Sequence, residues 1–384
     1  MSAAVAPPLA GLKVVEFARV LAGPWVGQIL ADLGAQVIKI ESPAGDDTRG
    51  WGPPFIENPD GGRDAAYFHA TNRGKRSVVL DLGTAEGKDR AVALTRQADV
   101  VIENFKVGGM AKFGLDYARL AQENPRLVYC SVTGFGQDGP YAHRAGYDFI
   151  VQGMSGIMDL TGEPEGPPQK IGVAFADIMT GLYATIAVQA ALAERDRSGM
   201  GQHIDMALLD VMTGVLANQA MNYLVSGKAP TRMGNSHPNI VPYAVFPTAD
   251  GWLIIASGND GQFGRLCEVL GLAPPLEWAT NAGRLADRAA VTKAIEACTR
   301  LWQRDELLAA LEKQGIPAGP INTVEQAFAD PQVVHRGLKL NMAREDGQPI
   351  PGVSLPIRFS RSPLAQPAPS PRLGELDVER ACWA

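Results

Sequence analysis

Asp177 is an acid set against apolar sequence. It ends the run Lys170-Ile-Gly-Val-Ala-Phe-Ala176 and opens Ile-Met-Thr-Gly-Leu-Tyr-Ala184, which reads as the start of a helix rich in small residues. A carboxylate there is expensive to desolvate unless hydrogen bonds or chemistry require it. Two roles fit. As a helix N-cap, its oxygen would accept a backbone N–H and contribute about 0.5–2 kcal/mol; on this segment alone the cap is the more frequent role. As a nucleophile, it would bond covalently to an electrophilic substrate.

Other reactive side chains are less well placed. Ser131 and Ser155 have no His-and-acid partner at a nucleophile elbow, which disfavours a serine hydrolase. His143 lies beside Arg144 in a polar loop and reads as surface. Tyr147, in Gly146-Tyr-Asp-Phe149, carries a hydroxyl on an apolar ring and could pack on a ligand while bonding to it; Asp148 could orient neighbouring backbone. Two basic loops could hold phosphate by charge-assisted hydrogen bonds. They are Asn72-Arg-Gly-Lys-Arg-Ser77 and Asn104-Phe-Lys-Val-Gly-Gly-Met-Ala-Lys112, and either could equally be a solvated turn. Cys130, Cys267, Cys298 and Cys382 are far apart, with no Cys-x-x-Cys or His-rich spacing, so neither a disulfide framework nor a metal site is expected.

The elements that would position these groups alternate. Lys13–Phe17, Gln36–Glu41, Ser77–Leu82, Val100–Asn104 and Leu127–Val132 read as strands, with helices from Gly23 to about Leu33 and from Thr84 to Gln97. That order predicts a doubly wound parallel sheet with its ligand crevice at the carboxyl ends of the strands, where the loops 19–24 and 104–109 emerge. The first turn, Ala18-Arg-Val-Leu-Ala-Gly-Pro24, lacks the Gly-x-Gly-x-x-Gly spacing of dinucleotide sites, so a nicotinamide dehydrogenase is not expected even though Glu41 ends the second strand. Thr180–Glu194 and Asp205–Leu224 read as long helices. The Gly-, Pro-, Asn- and Ser-rich stretch 226–242 then leads to short strands in 244–257 around Asp250-Gly251, and to helices near 262–270 and 284–311. The expected division is a large domain at 1–200, a linker helix at 201–230, a small α+β domain at 231–325, and a linker returning to the large domain at 326–384. The proline-rich tail 360–372 should wrap over a surface.

The 384 residues carry a net charge of −6, which argues against nucleic acid or an anionic membrane as partner. Residues 1–10 lack the basic and apolar regions of a secretory signal, and no uninterrupted apolar run is long enough to span a bilayer. A cytoplasmic protein is expected.

Together these segments resemble the family III CoA-transferases and the related α-methylacyl-CoA racemases. The resemblance rests on Leu9-Ala-Gly-Leu-Lys-Val-Val-Glu-Phe17, Leu33-Gly-Ala-Gln-Val-Ile-Lys-Ile-Glu41, Asn72-Arg-Gly-Lys-Arg-Ser77, Ala98-Asp-Val-Val-Ile-Glu-Asn-Phe105, Gly146-Tyr-Asp148, Thr161-Gly-Glu163 and Ala176-Asp177, in that order. It implies a large Rossmann-like domain and a smaller α+β domain in a ring-shaped subunit, two of which interlock as a homodimer. It makes Asp177 the nucleophile that takes an acyl group from an acyl-CoA as a mixed anhydride and then CoA as a thioester, before a carboxylic acid collects the CoA. By position, Val20, Leu21, Lys75, Arg76, Leu80, Asn104, Lys112 and Tyr147 fall where relatives contact CoA, which would be a substrate rather than a bound cofactor. The stretch Gly234-Asn-Ser-His-Pro238 is the candidate lid. Its lack of a glycine run is more like members using succinyl-CoA or another dicarboxylyl-CoA, with His237 as a contact for a second carboxylate. Racemases carry His where this chain has Tyr147, and Tyr exchanges protons poorly near neutral pH, which favours transfer. Two alternatives stay open at this point: a 2-methylacyl-CoA racemase, and a non-catalytic CoA-binding protein whose Asp177 is only a cap.

Overall fold

The computed structural model describes residues 5–59, 61–378 and 381–383; part of the segment read for a secretory signal, residues 1–4, lies outside them. The chain divides into two compact units, the first made of 1–157, 170–226 and 331–384, the second of 158–169 and 227–330.

The first unit is built on six strands: β1 (Lys13–Glu16), β2 (Gln36–Glu41), β3 (Lys75–Val79), β4 (Val100–Glu103), β5 (Val128–Thr133) and β6 (His203–Ala207). They lie in the order β3-β2-β1-β4-β5-β6, every pair parallel. The apolar runs of the inner strands are nearly continuous because both faces of the sheet are covered. Successive residues therefore serve different cores. Val14, Val37, Val100, Ile102 and Val128 pack with helices Ala22–Asp32 and Phe175–Ser198, whereas Val15, Ile38, Val78, Val101 and Tyr129 pack with helices Ala85–Arg96 and Tyr117–Glu123. The strand order reverses direction between β1 and β4, where a crevice opens at the carboxyl ends of the strands.

Two expectations change here. β3 begins at Lys75, two residues earlier than read, and pairs Lys75 with Val37. The supposed linker helix from 201 opens instead with β6, whose Cα partners run from Tyr129↔His203 to Thr133↔Ala207. Only then come the helices Leu208–Gly214 and Ala217–Ser226.

Helix Phe175–Ser198 is long and apolar enough to cross a membrane by length and composition. Its inner face, including Ala176, Thr180, Ala184, Val188 and Ala191, is buried in the first unit. Gly199, left-handed at φ 79°, ends it, and Arg195 and Arg197 sit in its last turn. The tail is tied down by Ala365 N–H to Asp32 O at 2.9 Å and Leu376 N–H to Ser77 O at 2.9 Å, and by its carbonyl at Ala368, which takes Gly74 N–H at 3.0 Å.

In the second unit the strands Tyr243–Pro247, Trp252–Ala256 and Ala318–Pro320 form an antiparallel sheet. Phe246, Leu253 and Ile255 pack there with Leu266, Val291, Ile295, Leu307 and Leu311 from the helices that follow.

Candidate active site

A cavity of about 450 Å³ occupies the crevice between β1 and β4. Its walls come from three loops that leave strand ends, 19–22, 104–113 and 132–147, and its floor includes Asp177. Two backbone approaches make this possible. A Cβ on Gly134 or Gly146 would lie 2.5 Å from the other's Cα, so those two loops cross only as glycines. A Cβ on Gly181 would lie 2.9 Å from Ala22 O and 3.0 Å from Trp25 Cβ. Gly181 is one turn from Asp177 on the same helix face, so this contact sets the acid beside the loop 19–22. Gly181→Val should lower kcat/KM by about a hundredfold with the far-UV circular dichroism spectrum unchanged, since misplacing a reacting group by about 1 Å costs that much. Activity within twofold of the parent would show that the approach does not matter.

Asp177 is not a cap. It is the third residue of its helix, and the capping acid is Asp148, whose Oδ1 accepts the N–H of Ala176 at 2.8 Å and of Asp177 at 3.3 Å. Asp148 is fixed in turn by Gln152 Nε2 at 2.8 Å. The Asp177 carboxylate accepts no hydrogen bond among the described residues. Burial, and then the neighbouring Asp148 charge, push its pKa up to about 7. Tyr67 faces the same corner: burial, then Asp177, Asp148 and Asp46, raise its phenol to about 12.

Each of the three loops brings basic side chains to the cavity. Arg19, Lys106, Lys112 and Arg144 all line the cavity. The Arg19 guanidinium is ion-paired with Asp47 at 2.9 Å, both half exposed. The Arg144 guanidinium lies over the Tyr141 ring at 4.5 Å. A carboxylate without a hydrogen-bond partner among the described residues, in a cavity also lined by four cations on a chain of net charge −6, suits a ligand with an electrophilic end and a polyanionic end.

The family model described as CoA-transferase family III matches residues 9–376. The chain belongs to that family. Among its relatives, the transferase is 61% identical over 378 residues to the succinate–glutarate CoA-transferase of Agrobacterium fabrum, covering 97% of this chain and 94% of that one. It is 39% identical over 376 residues to the succinyl-CoA:glutarate CoA-transferase of Mus musculus, covering 96% and 84%. A crystal structure of a CaiB/BaiF family protein from Brucella suis, 62% identical, superposes with a TM-score of 0.88 over 96% of this chain and 97% of that chain. The transferase assignment displaces the racemase and the non-catalytic alternatives.

Of the residues singled out in the sequence, Val20, Leu21, Asn104, Lys112, Tyr147 and Asp177 line the cavity of the transferase. Lys75, Arg76 and Leu80 do not. Because β3 starts at Lys75, its ammonium points into the core and donates to Glu16 Oε1, Pro24 O and Asn72 Oδ1 at 2.8, 2.8 and 2.9 Å. Burial lowers its pKa to about 8. Arg76 donates to Cys382 O at 3.2 Å, and Leu80 belongs to the core under Ala85–Arg96. His237 is in the second unit, on the proposed lid segment. Its Nδ1 accepts Asn239 N–H at 3.0 Å, which leaves Nε2 as the protonated nitrogen of the neutral ring.

Neither Arg144 nor Arg19 is singled out by the sequence, where Arg144 enters only as the neighbour of His143. The signal for Arg19 was its position, three residues past the end of the first strand at the crevice. Arg144 had no comparable signal, because the Gly134–Gly146 crossing that brings it inward joins loops twelve residues apart. Tyr67, on the helix Ala66–Thr71 just before the basic loop 72–77, is near enough to feel the Asp177 charge without lining the cavity, and no sequence signal marks it.

Proposed function

We propose that this transferase moves CoA from succinyl-CoA to glutarate or a dicarboxylate of similar length, with Asp177 as the covalent carrier. The observation that carries the reading is the Asp177 carboxylate, which has no hydrogen-bond partner among the described residues and lines a cavity that Arg19, Lys106, Lys112 and Arg144 also line. The named activities of the 61% and 39% identical relatives support the substrate pair. Asp177 attacks the thioester carbonyl, expelling CoA thiolate and leaving a succinyl-aspartyl anhydride. The thiolate then attacks the aspartyl carbonyl, releasing succinate and leaving an aspartyl-CoA thioester. Glutarate attacks that thioester to give a glutaryl-aspartyl anhydride and thiolate again. Attack of the thiolate on the glutaryl carbonyl delivers glutaryl-CoA and frees Asp177. A carboxylate is needed because only it forms an anhydride of reactivity matching the thioester. The four cations meet the phosphates of CoA.

The test is mass spectrometry of the purified protein mixed with succinyl-CoA and glutarate. Glutaryl-CoA and succinate should form together, and hydroxylamine should label Asp177. Absence of both products would remove the reading. The attacking form is the anion, so kcat/KM should rise with pH through about 7 and level off above it, as the Asp177 pKa dictates. A profile flat from pH 5 to 9 would place the limiting ionisation elsewhere.

An interlocked homodimer of ring-shaped subunits, in the cytoplasm, completes the proposal. Apolar side chains on the first unit support a second chain as neighbour: Ile186 is 63%, Leu224 70% and Val225 80% exposed. The free thiols at Cys130, Cys267, Cys298 and Cys382 suit a reducing compartment. Light scattering should give twice the chain mass of 40.8 kDa, and a species of single-chain mass would contradict the dimer.

A further inference from the structure

Val20, in the wall of the cavity, has a left-handed backbone at φ 72°. A β-branched residue resists that conformation and holds it only where its surroundings over-determine it. Side chains take four backbone groups of the turn. Lys39 Nζ donates to Ala18 O at 2.6 Å, Asn104 Nδ2 donates to Arg19 O at 2.7 Å, Asn104 Oδ1 accepts Arg19 N–H at 2.9 Å, and Asp46 Oδ1 accepts Val20 N–H at 3.3 Å. Lys39 and Asp46 are ion-paired at 3.0 Å with neither side chain exposed. Asp46 is itself pinned, since its N–H donates to Glu41 Oε2 at 2.9 Å and its Oδ1 takes Thr48 N–H at 3.0 Å and Thr48 Oγ1–H at 2.8 Å. Asn104 lines the cavity and could touch ligand directly. Lys39 and Asp46 do not line it and act only through the backbone.

We propose that Lys39 and Asp46 are positioning residues for the thioester site. Their ion pair holds Val20 in its left-handed turn, so the wall from Val20 to Ala22 is set before the ligand arrives. A ligand then binds without having to order that wall. The inference rests on reading this cavity as the site of the CoA thioester.

The experiment measures CoA affinity by titration calorimetry for Lys39→Met and Asp46→Ala, each with Val20 in place and in a Val20→Gly background. Glycine takes the left-handed turn without help. Each substitution should therefore weaken CoA binding about tenfold when Val20 is present and less than about threefold, relative to Val20→Gly alone, when it is not. Equal weakening in both backgrounds would reduce the pair to a structural role and overturn the proposal. Should the variants not fold, hydrogen exchange on the unmodified protein decides. The Arg19 and Val20 amides should exchange at least about a hundredfold more slowly than those of exposed loops without CoA present, and fast exchange overturns the clamp. Arg144→Ala and Lys106→Ala separate the two readings. If neither weakens CoA binding, the cavity assignment fails; if they weaken it and Lys39→Met does not, the clamp alone fails.

Discussion

Asp177→Asn abolishes transfer and stabilises the protein at alkaline pH. Without a carboxylate no anhydride can form, so kcat should fall by at least about a thousandfold, while CoA still binds because the basic side chains are untouched. The stability change follows from the raised pKa of the acid. In the unfolded chain the carboxyl ionises near its ordinary value, whereas in the folded protein it holds its proton up to about 7. Ionisation thus favours the unfolded state, with a cost that grows from about pH 4 to about pH 7 and is full above that. Removing the acid should add roughly 4 kcal/mol at pH 8 and almost nothing at pH 4. Urea unfolding at the two pH values measures the difference. A variant equally stable or less stable at pH 8 would mean that the carboxylate is not held at a cost, and with it would go the argument that function keeps it there.

Glu16→Gln should be among the most damaging changes outside the cavity. Glu16 Oε1 accepts from Lys39 Nζ at 3.1 Å and Lys75 Nζ at 2.8 Å, and all three side chains are fully buried. Burial alone would lower the Lys39 pKa, but Glu16, Asp46 and Glu41 together hold it above the ordinary value. Lys75 has fewer acids near it, feels the charge of Lys39, and is lowered to about 8. Neutralising Glu16 leaves two buried ammonium groups sharing the remaining acids. Breaking a buried ion pair from one side costs about 3–5 kcal/mol. The exposed Arg19–Asp47 pair is the internal control, for which about 0–1 kcal/mol is expected on Asp47→Ala. If denaturant midpoints shift equally for both variants, the buried cluster does not have the role assigned to it.

The parallel sheet was legible because its strands are short, unbroken apolar runs separated by helix-length segments, and the crevice followed from that order alone. β6 was not. His203-Ile-Asp-Met-Ala207 alternates as an edge strand should, but it runs directly into Leu208–Gly214, and the helical period of that longer segment masks five residues of alternation. The misplacement of Lys75 has the same origin. A charged residue at the edge of an apolar run looks like loop, and only its pairing with Val37 and the presence of Glu16 underneath put it inside. Asp177 was found from its setting, yet the sequence could not separate nucleophile from cap. That took Asp148, an acid 29 residues away, occupying the capping position itself.

The tail gives the molecule a definite order of assembly. Residues 331–384 belong to the first unit, and their carbonyls and amides meet partners at Asp32, Gly74 and Ser77 near the beginning of the chain. A ribosome delivers those residues after the sheet and after the second unit. The early sheet therefore waits through synthesis with the groups at Gly74 and Ser77 open to water and to neighbouring nascent chains. The second unit, entered and left in mid-sequence, is complete before the one that surrounds it in the gene.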